Sequence, residues 1–299
     1  MWSSDSDSGF ISIKNMLHLN CDFGFEYAAT GELCMELSME EPSSLRGVCA
    51  ERDEVRKPPR AQKSPLMSFG KICVTLDVDW ACDEIVEYSI RLLEEYGVKA
   101  TIFATHELRL LKRLDREQFE VGIHPNLANT DNYEKTIDGL LRIYPDSVGV
   151  RCHGCFQSTD VFRLFIEKKL KYDSSTYIPL GEGLRPWIRL KKLVCIPFHW
   201  ADDTMFYSGL PFNTSQLRLS TGGLKVYVFH PIHIFANTRS GEHYRKLKPF
   251  YHQPDKLVDL RGKNNGTRTL LVKFLRHLRE NNIKSYTCRE ICQEWIDGQ

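Results

Sequence analysis

The sequence has no long hydrophobic run, no excess of one charge and no internal repeat. No apolar stretch approaches the ~18 residues of a membrane-crossing helix, so no span is expected. Forty basic residues stand against 39 acidic ones, a formal net charge of +1, and the pI is about 7.6. That balance offers no electrostatic footprint for nucleic acid. The opening Met1-Trp2-Ser3-Ser4-Asp5-Ser6-Asp7 lacks a basic n-region, so no secretory leader is expected. Ten cysteines are scattered through 299 residues. Without a leader they read as reduced, often buried thiols of a cytoplasmic protein rather than as a disulfide framework. Cys152-His153-Gly154-Cys155 has the C-x-x-C spacing, but a structural zinc site needs a second pair. Cys288 and Cys292 do not supply one, since their spacing suits adjacent turns of a helix.

Apolar residues make up 42% of the chain, enough for one large barrel or two modest domains. Residues 1–66 have weak periodicity, a charged and polar stretch from Glu36 to Glu54, and a proline- and charge-rich run, Lys57 to Pro65. They read as a poorly ordered N-terminal extension and linker, leaving 67–299 as the folded domain. From there short apolar strands alternate with helices. Strands are expected over Ile72–Leu76, Lys99–Ala104, Phe119–Ile123, Val148–Cys152, Lys171–Ser174, Leu193–Phe198, Leu224–Phe229 and Lys284–Thr287. Helices are expected over Asp83–Tyr96 (closed by Gly97), Glu107–Leu114, Tyr133–Tyr144, Thr159–Lys169, Arg268–Asn281 and Cys288–Ile296. Such alternation is the signature of parallel strands with crossover helices, an α/β fold. The number of strands suits a barrel better than an open sheet.

The chemistry centres on Cys73-Val74-Thr75-Leu76-Asp77-Val78-Asp79-Trp80. Residues i and i+2 of an extended chain share a side, so Asp77 and Asp79 can converge, and two close carboxylates call for a cation or a proton between them. Taken alone, such a pair is more often two solvated acids in a turn. The other strand exits change that. They carry Thr105-His106, His124-Pro125-Asn126, Arg151 and His153, His199-Trp200-Ala201-Asp202-Asp203, and His230-Pro231-Ile232-His233. A single histidine at a strand end is more often structural, but several exits agreeing at the C-terminal face of a barrel describe an assembled site. These residue types suit metal-assisted hydrolysis. Asp79 and His124 are the first candidate ligands, Asp77 the base, His230 the acid, and Arg151 the cation that holds Asp77.

The order of these motifs resembles the polysaccharide deacetylases, the NodB-homology or family-four carbohydrate esterases, over about 70 to 290. The Gly122-Ile123-His124-Pro125-Asn126 and Phe229-His230-Pro231-Ile232-His233 loops look most like the WbmS-like branch of surface-polysaccharide gene clusters. The resemblance implies a distorted (β/α)7 TIM-like barrel of NodB type that removes N- or O-linked acetyl groups from a carbohydrate, with a divalent cation, zinc foremost, as cofactor. It implies that Asp77 is the base, Asp79 the metal-binding aspartate, His124 the first metal histidine, Arg151 the residue that orients the base and His230 the acid. The aspartate that tunes the acid is Asp202 or Asp203, with Asp203 assigned to the catalytic set. The family's second histidine, four residues after the first, is replaced by Ala128. The remaining ligand must then come from Asn126, His153, His106 or water. Trp80 and Trp200 flank acidic segments and are expected to line a sugar pocket, with His233 beside them. Two other readings compete: a carbohydrate-binding barrel without catalysis, and another metal hydrolase with His106 and His233 on a second metal.

Overall fold

A computed structural model describes residues 70–299, and the expected N-terminal extension, 1–66, lies outside the described residues. The elements run β1 (Ile72–Asp77), α1 (Asp83–Glu95), β2 (Ala100–Ala104), β3 (Phe119–Ile123), α2 (Tyr133–Ile143), β4 (Gly149–Val150), α3 (Thr159–Glu167), β5 (Tyr172–Asp173), β6 (Trp187–Arg189), β7 (Leu193–Cys195), β8 (Trp200–Ala201), α4 (Asp202–Tyr207), β9 (Lys225–Phe229), α5 (Pro231–Ala236), α6 (Gly241–Leu247), α7 (Pro254–Asp259), α8 (Thr267–Glu280), β10 (Ser285–Tyr286) and α9 (Cys288–Asp297).

β1 is the hub. It pairs in parallel with β2 on one edge and with β9 on the other, and β10 joins it at Ile72 and Cys73. The sheet order is β6-β7-β5-β4-β3-β2-β1-β9-β8, parallel throughout except for the β6–β7 hairpin. Its two ends meet in one stretch of chain. β7 pairs with β5, Phe198 bridges Tyr177, and β8 pairs with β9. The segment 193–201 thus joins β5 to β9 and curls the sheet into the expected distorted barrel.

Strand alternation sorts side chains into two layers. Val74 and Leu76 of β1, Ile102 of β2 and Tyr227 and Phe229 of β9 face outward, into a core shared with Ile85, Val86 and Ile90 of α1 and with Leu270, Leu271 and Phe274 of α8. Cys73, Phe103, Tyr172, Val226 and Val228 form a second cluster, on the inner side with Thr75 and Asp77. The interior is tight. A Cβ at Gly122 would sit 2.8 Å from the Phe103 ring, and one at Gly149 would sit 1.8 Å from the Tyr172 ring. Glycine at these two positions is what lets adjacent strands close around two aromatic rings.

Some elements differ from expectation. The helix expected over Glu107–Leu114 is a single 3-10 turn, Leu110–Lys112. Its buried residues Leu108, Leu111 and Leu114 are spaced by three, the 3-10 repeat, and not by the three-and-four of an amphipathic α-helix. The strand expected over Leu193–Phe198 shortens to β7, Leu193–Cys195, ahead of Pro197, which has no N–H to give a ladder, and the separate strand β8 beyond it was not anticipated. The hairpin strand β6 and the short helices α4 to α7 were not anticipated. They fill the connections on which part of the site is built. Among the described residues, no helix is long and apolar enough to cross a membrane.

Candidate active site

β1 ends in Asp77, which is 5% exposed. Its Oδ1 accepts a hydrogen bond from Arg151 Nη1 at 2.8 Å. Arg151 follows β4 and is itself buried inside the barrel. The same Nη1 donates to Thr75 Oγ1 (2.7 Å), Nε to Ser174 O (3.0 Å) and Nη2 to Ser174 Oγ (2.9 Å). Its guanidinium lies over the rings of Phe103 and Phe198. A planar fork held on three sides in this way can present one N–H to Asp77 and nowhere else.

Two residues on, the chain turns sharply, and Asp79 and Trp80 both adopt positive φ. The turn aims Asp79 at two imidazoles. His124 Nε2 and His153 Nδ1 each lie 3.1 Å from Asp79 Oδ1. His124 Nδ1 faces the Arg151 carbonyl at 2.6 Å, and since a carbonyl only accepts, this nitrogen carries the proton. In the neutral ring Nε2 is then a lone pair, aimed at Asp79 and, at 3.9 Å, at Asp77 Oδ2. A lone pair facing carboxylate oxygens is a place for a cation. Ligand atoms of Asp79, His124 and His153 all lie within 4.8 Å of one another, and an O,N,N donor set suits zinc and similar divalent ions. Burial works to raise the Asp79 carboxyl, but the His124 and His153 contacts, which are hydrogen bonds when those rings are protonated, and the charge of His230 overcome it and hold it well below the usual carboxylate range.

On the opposite wall His230 follows β9 and precedes Pro231, the first residue of α5. Its Nδ1 lies 2.6 Å from Asp202 Oδ1, and its backbone N–H donates to Asp202 Oδ2 at 3.0 Å. Nε2 is left facing the site, 3.6 Å from Asp79 Oδ2. Burial opposes the imidazolium, yet the Asp202 charge outweighs it and lifts His230 well above the ordinary histidine value. Burial in turn pushes the Asp202 carboxyl up to about 6, against the pull of His230.

The structure brings together Asp77, Asp79, His124, Arg151, His153 and His230, as the strand-exit reasoning expects. It also differs at particular residues. The partner of His230 is Asp202, whereas Asp203 Oδ1 accepts from the Thr204 backbone N–H at 2.7 Å. Asp203 stays close enough to feel the His230 charge but does not bond to it. Trp200 is not a pocket residue. It is 0% exposed and packs against Tyr227 and Phe229 in the outer layer, because β8 pairs with β9 with Trp200 opposite the outward-facing Tyr227. Trp80 does lie at the mouth, 40% exposed, with its ring edge-on to His153 at 4.9 Å. Asn126 Oδ1 is buried without a hydrogen-bond partner. His106 Nδ1 is engaged by Thr105 Oγ1 at 2.9 Å. His233 is buried beside His230, 5.4 Å between rings, with its Nδ1 at Thr238 Oγ1. His106 and His233 therefore do not converge on a second metal. Sequence reasoning missed Tyr251, whose hydroxyl donates to the Asp79 carbonyl at 2.6 Å. It lies 172 residues away in the chain, at no strand exit, and carries no motif.

A family model for the WbmS-like polysaccharide deacetylases matches residues 74–248, the stretch that carries β1 through α6. The chain belongs to this family. Within the WbmS-like fold, the solved structures include a Bordetella bronchiseptica protein provisionally described as a polysaccharide deacetylase involved in O-antigen biosynthesis. It is 32% identical, with a TM-score of 0.66, over 70% of this chain and 91% of that one. A Bacillus subtilis peptidoglycan deacetylase (11% identity, 76% of this chain and 93% of that one, TM-score 0.45) and a Clostridium thermocellum family-four acetyl xylan esterase with a cobalt ion (13%, 74% and 89%, TM-score 0.41) are more distant. No curated protein matches the sequence.

Proposed function

We propose that this WbmS-like protein is a metal-dependent carbohydrate deacetylase in which Asp79, His124 and His153 hold the ion. The observation that carries the reading is the convergence of those three donors from the exits of β1, β3 and β4, beside a carboxylate fixed by Arg151 and an imidazole fixed by Asp202. His153 takes the place that Ala128 leaves vacant. A divalent ion bound there, zinc on the donor set, supplies Lewis-acid polarisation of the acetyl carbonyl and a water that ionises near neutral pH.

The protein's own groups then divide the proton work. Asp77 takes the proton of the attacking water, and Arg151 keeps that carboxylate oriented. His230 gives a proton from Nε2 to the leaving amine or alkoxide, and Asp202 on Nδ1 keeps it charged until it does. Trp80 offers an exposed aromatic face for a sugar ring. The Bordetella relative's link to O-antigen supports an acetylated sugar of a surface polysaccharide, or its precursor, as the substrate class.

Two measurements test this reading. Elemental analysis of the purified protein should give about one zinc or similar ion per chain, with the ion lost in both His124→Ala and His153→Ala. Acetate release from acetylated saccharides should follow the metal and fall by ~10²-fold or more in Asp77→Asn, which should still bind the ion. A wild type that takes up no metal under any loading condition would favour a sugar-binding barrel without catalysis. A His153→Ala variant with full occupancy would remove His153 from the ligand set.

A further inference from the structure

The turn that presents Asp79 is strained and is tied down from outside. Asp79 and Trp80 have φ of 45° and 61°, the left-handed region that favours glycine and persists in larger residues only when the surroundings impose it. Within the turn, Ala81 N–H donates back to Val78 O at 3.0 Å, which leaves the Asp79–Trp80 peptide without a partner of its own. Both of its polar groups are satisfied by distant side chains. Trp80 N–H donates to Thr105 Oγ1 at 3.0 Å, and the Tyr251 hydroxyl donates to Asp79 O at 2.6 Å. This is the one hydrogen bond that the Asp79 carbonyl receives among the described residues. Tyr251 is half-buried and follows the 3-10 turn Lys248–Phe250, past the end of the stretch matched by the family model.

We propose that Tyr251 is a positioning residue for the metal centre, an element of the site supplied from outside the matched family region. Its hydroxyl fixes the Asp79 peptide and, through it, the carboxylate whose Oδ1 meets His124 and His153. The inference rests on the reading of those three residues as ligands. Without the hydroxyl, the carbonyl loses its donor, and the turn can relax out of the left-handed region, swinging the carboxylate away from the two imidazoles.

The test compares Tyr251→Phe with Tyr227→Phe. The latter loses the same kind of bond, a tyrosine hydroxyl donating to a loop carbonyl (Leu217 O, 2.7 Å), but in the outer layer. For both variants and the wild type, the zinc dissociation constant is measured by competition with a chromophoric chelator, and the thermal midpoint is measured on the zinc-free protein. Tyr251→Phe should weaken zinc about tenfold or more, as loss of a residue supporting a ligand typically does, while Tyr227→Phe stays within about twofold. The zinc-free midpoint of Tyr251→Phe should fall no further than that of Tyr227→Phe. A wild type that binds zinc alongside a Tyr251→Phe of equal affinity overturns the clamp alone. A wild type that binds no zinc overturns the ligand reading and the clamp together.

Discussion

At the scale of single residues, the charge of His230 is set mainly by Asp202, with Asp203 and Asp79 adding to it. A general acid must hold its proton at the working pH, so activity falls as pH rises through its pKa. Asp202 lifts that pKa well above the ordinary value against the opposing effect of burial. Removing the carboxylate in Asp202→Asn takes away the largest pull against burial and leaves only Asp203 and Asp79 to oppose it, and the alkaline limb of the kcat/KM profile should move to lower pH by a unit or more, ~1.4 kcal/mol per unit. An unmoved limb would mean that His230 is not the acid. His199 shows the contrary case. Burial, followed by the Lys225 charge, depresses its pKa to about 4, and its Nδ1 lies 3.1 Å from Val226 O. Between the ordinary histidine value of about 6.5 and 4, the unfolded chain binds a proton that the folded one refuses, so stability falls as pH drops through that window and levels off below it. The share due to His199 is roughly 3 kcal/mol. His199→Gln should flatten that part of the stability–pH curve, measured by denaturant titration at a series of pH values.

At the scale of elements, the barrel interior depends on absent side chains. Gly149 of β4 faces the Tyr172 ring, and the Tyr172 hydroxyl donates to the buried Glu120 carboxylate at 2.9 Å. Gly149→Ala must displace that ring and break its hydrogen bond. Overpacking of this kind costs about 1–3 kcal/mol, and the lost bond at a buried carboxylate adds to it. A chemical-denaturation midpoint unchanged by the substitution would show that β4 and β5 have room to shift. The same interior explains why strand ends were readable while some elements were not. β1, β2, β3 and β9 have five or six residues each and are buried almost throughout, apolar runs long enough to stand out. β4, β5 and β8 have two residues each, too few for any periodicity to show where they stop.

For the whole molecule, the proposed metal site would join the exits of three strands and so tie folding to the ion. Zinc at about 100 times its dissociation constant should stabilise the folded chain by ~2.7 kcal/mol. For a domain of this size that is roughly a 5–10 °C rise in thermal midpoint, reversed by a chelator. A midpoint indifferent to excess zinc would count against the centre as strongly as an empty elemental analysis.

The sequence by itself determined the alternation of strands and helices, the barrel class, and that Asp77, Asp79, His124, Arg151 and His230 stand at strand exits. Each follows a recognisable apolar strand, and parallel strands of a barrel all deliver their exits to one face. Tertiary structure alone decided which of the neighbouring candidates meets which partner. Asp202 and Asp203 are adjacent in sequence, and only the start of α4 sends one carboxylate to His230 and the other to its own helix end. Trp200 reads as a pocket residue until the bend around Pro197 and the pairing of β8 with β9 turn it outward. Four candidates for the remaining ligand were open, and the packing of the β4 exit against the β1 turn brings His153 Nδ1 to 3.1 Å from Asp79 Oδ1. Tyr251 was invisible because a contact across 172 residues leaves no trace in local pattern. It exists only once the chain beyond α6 folds back over the site.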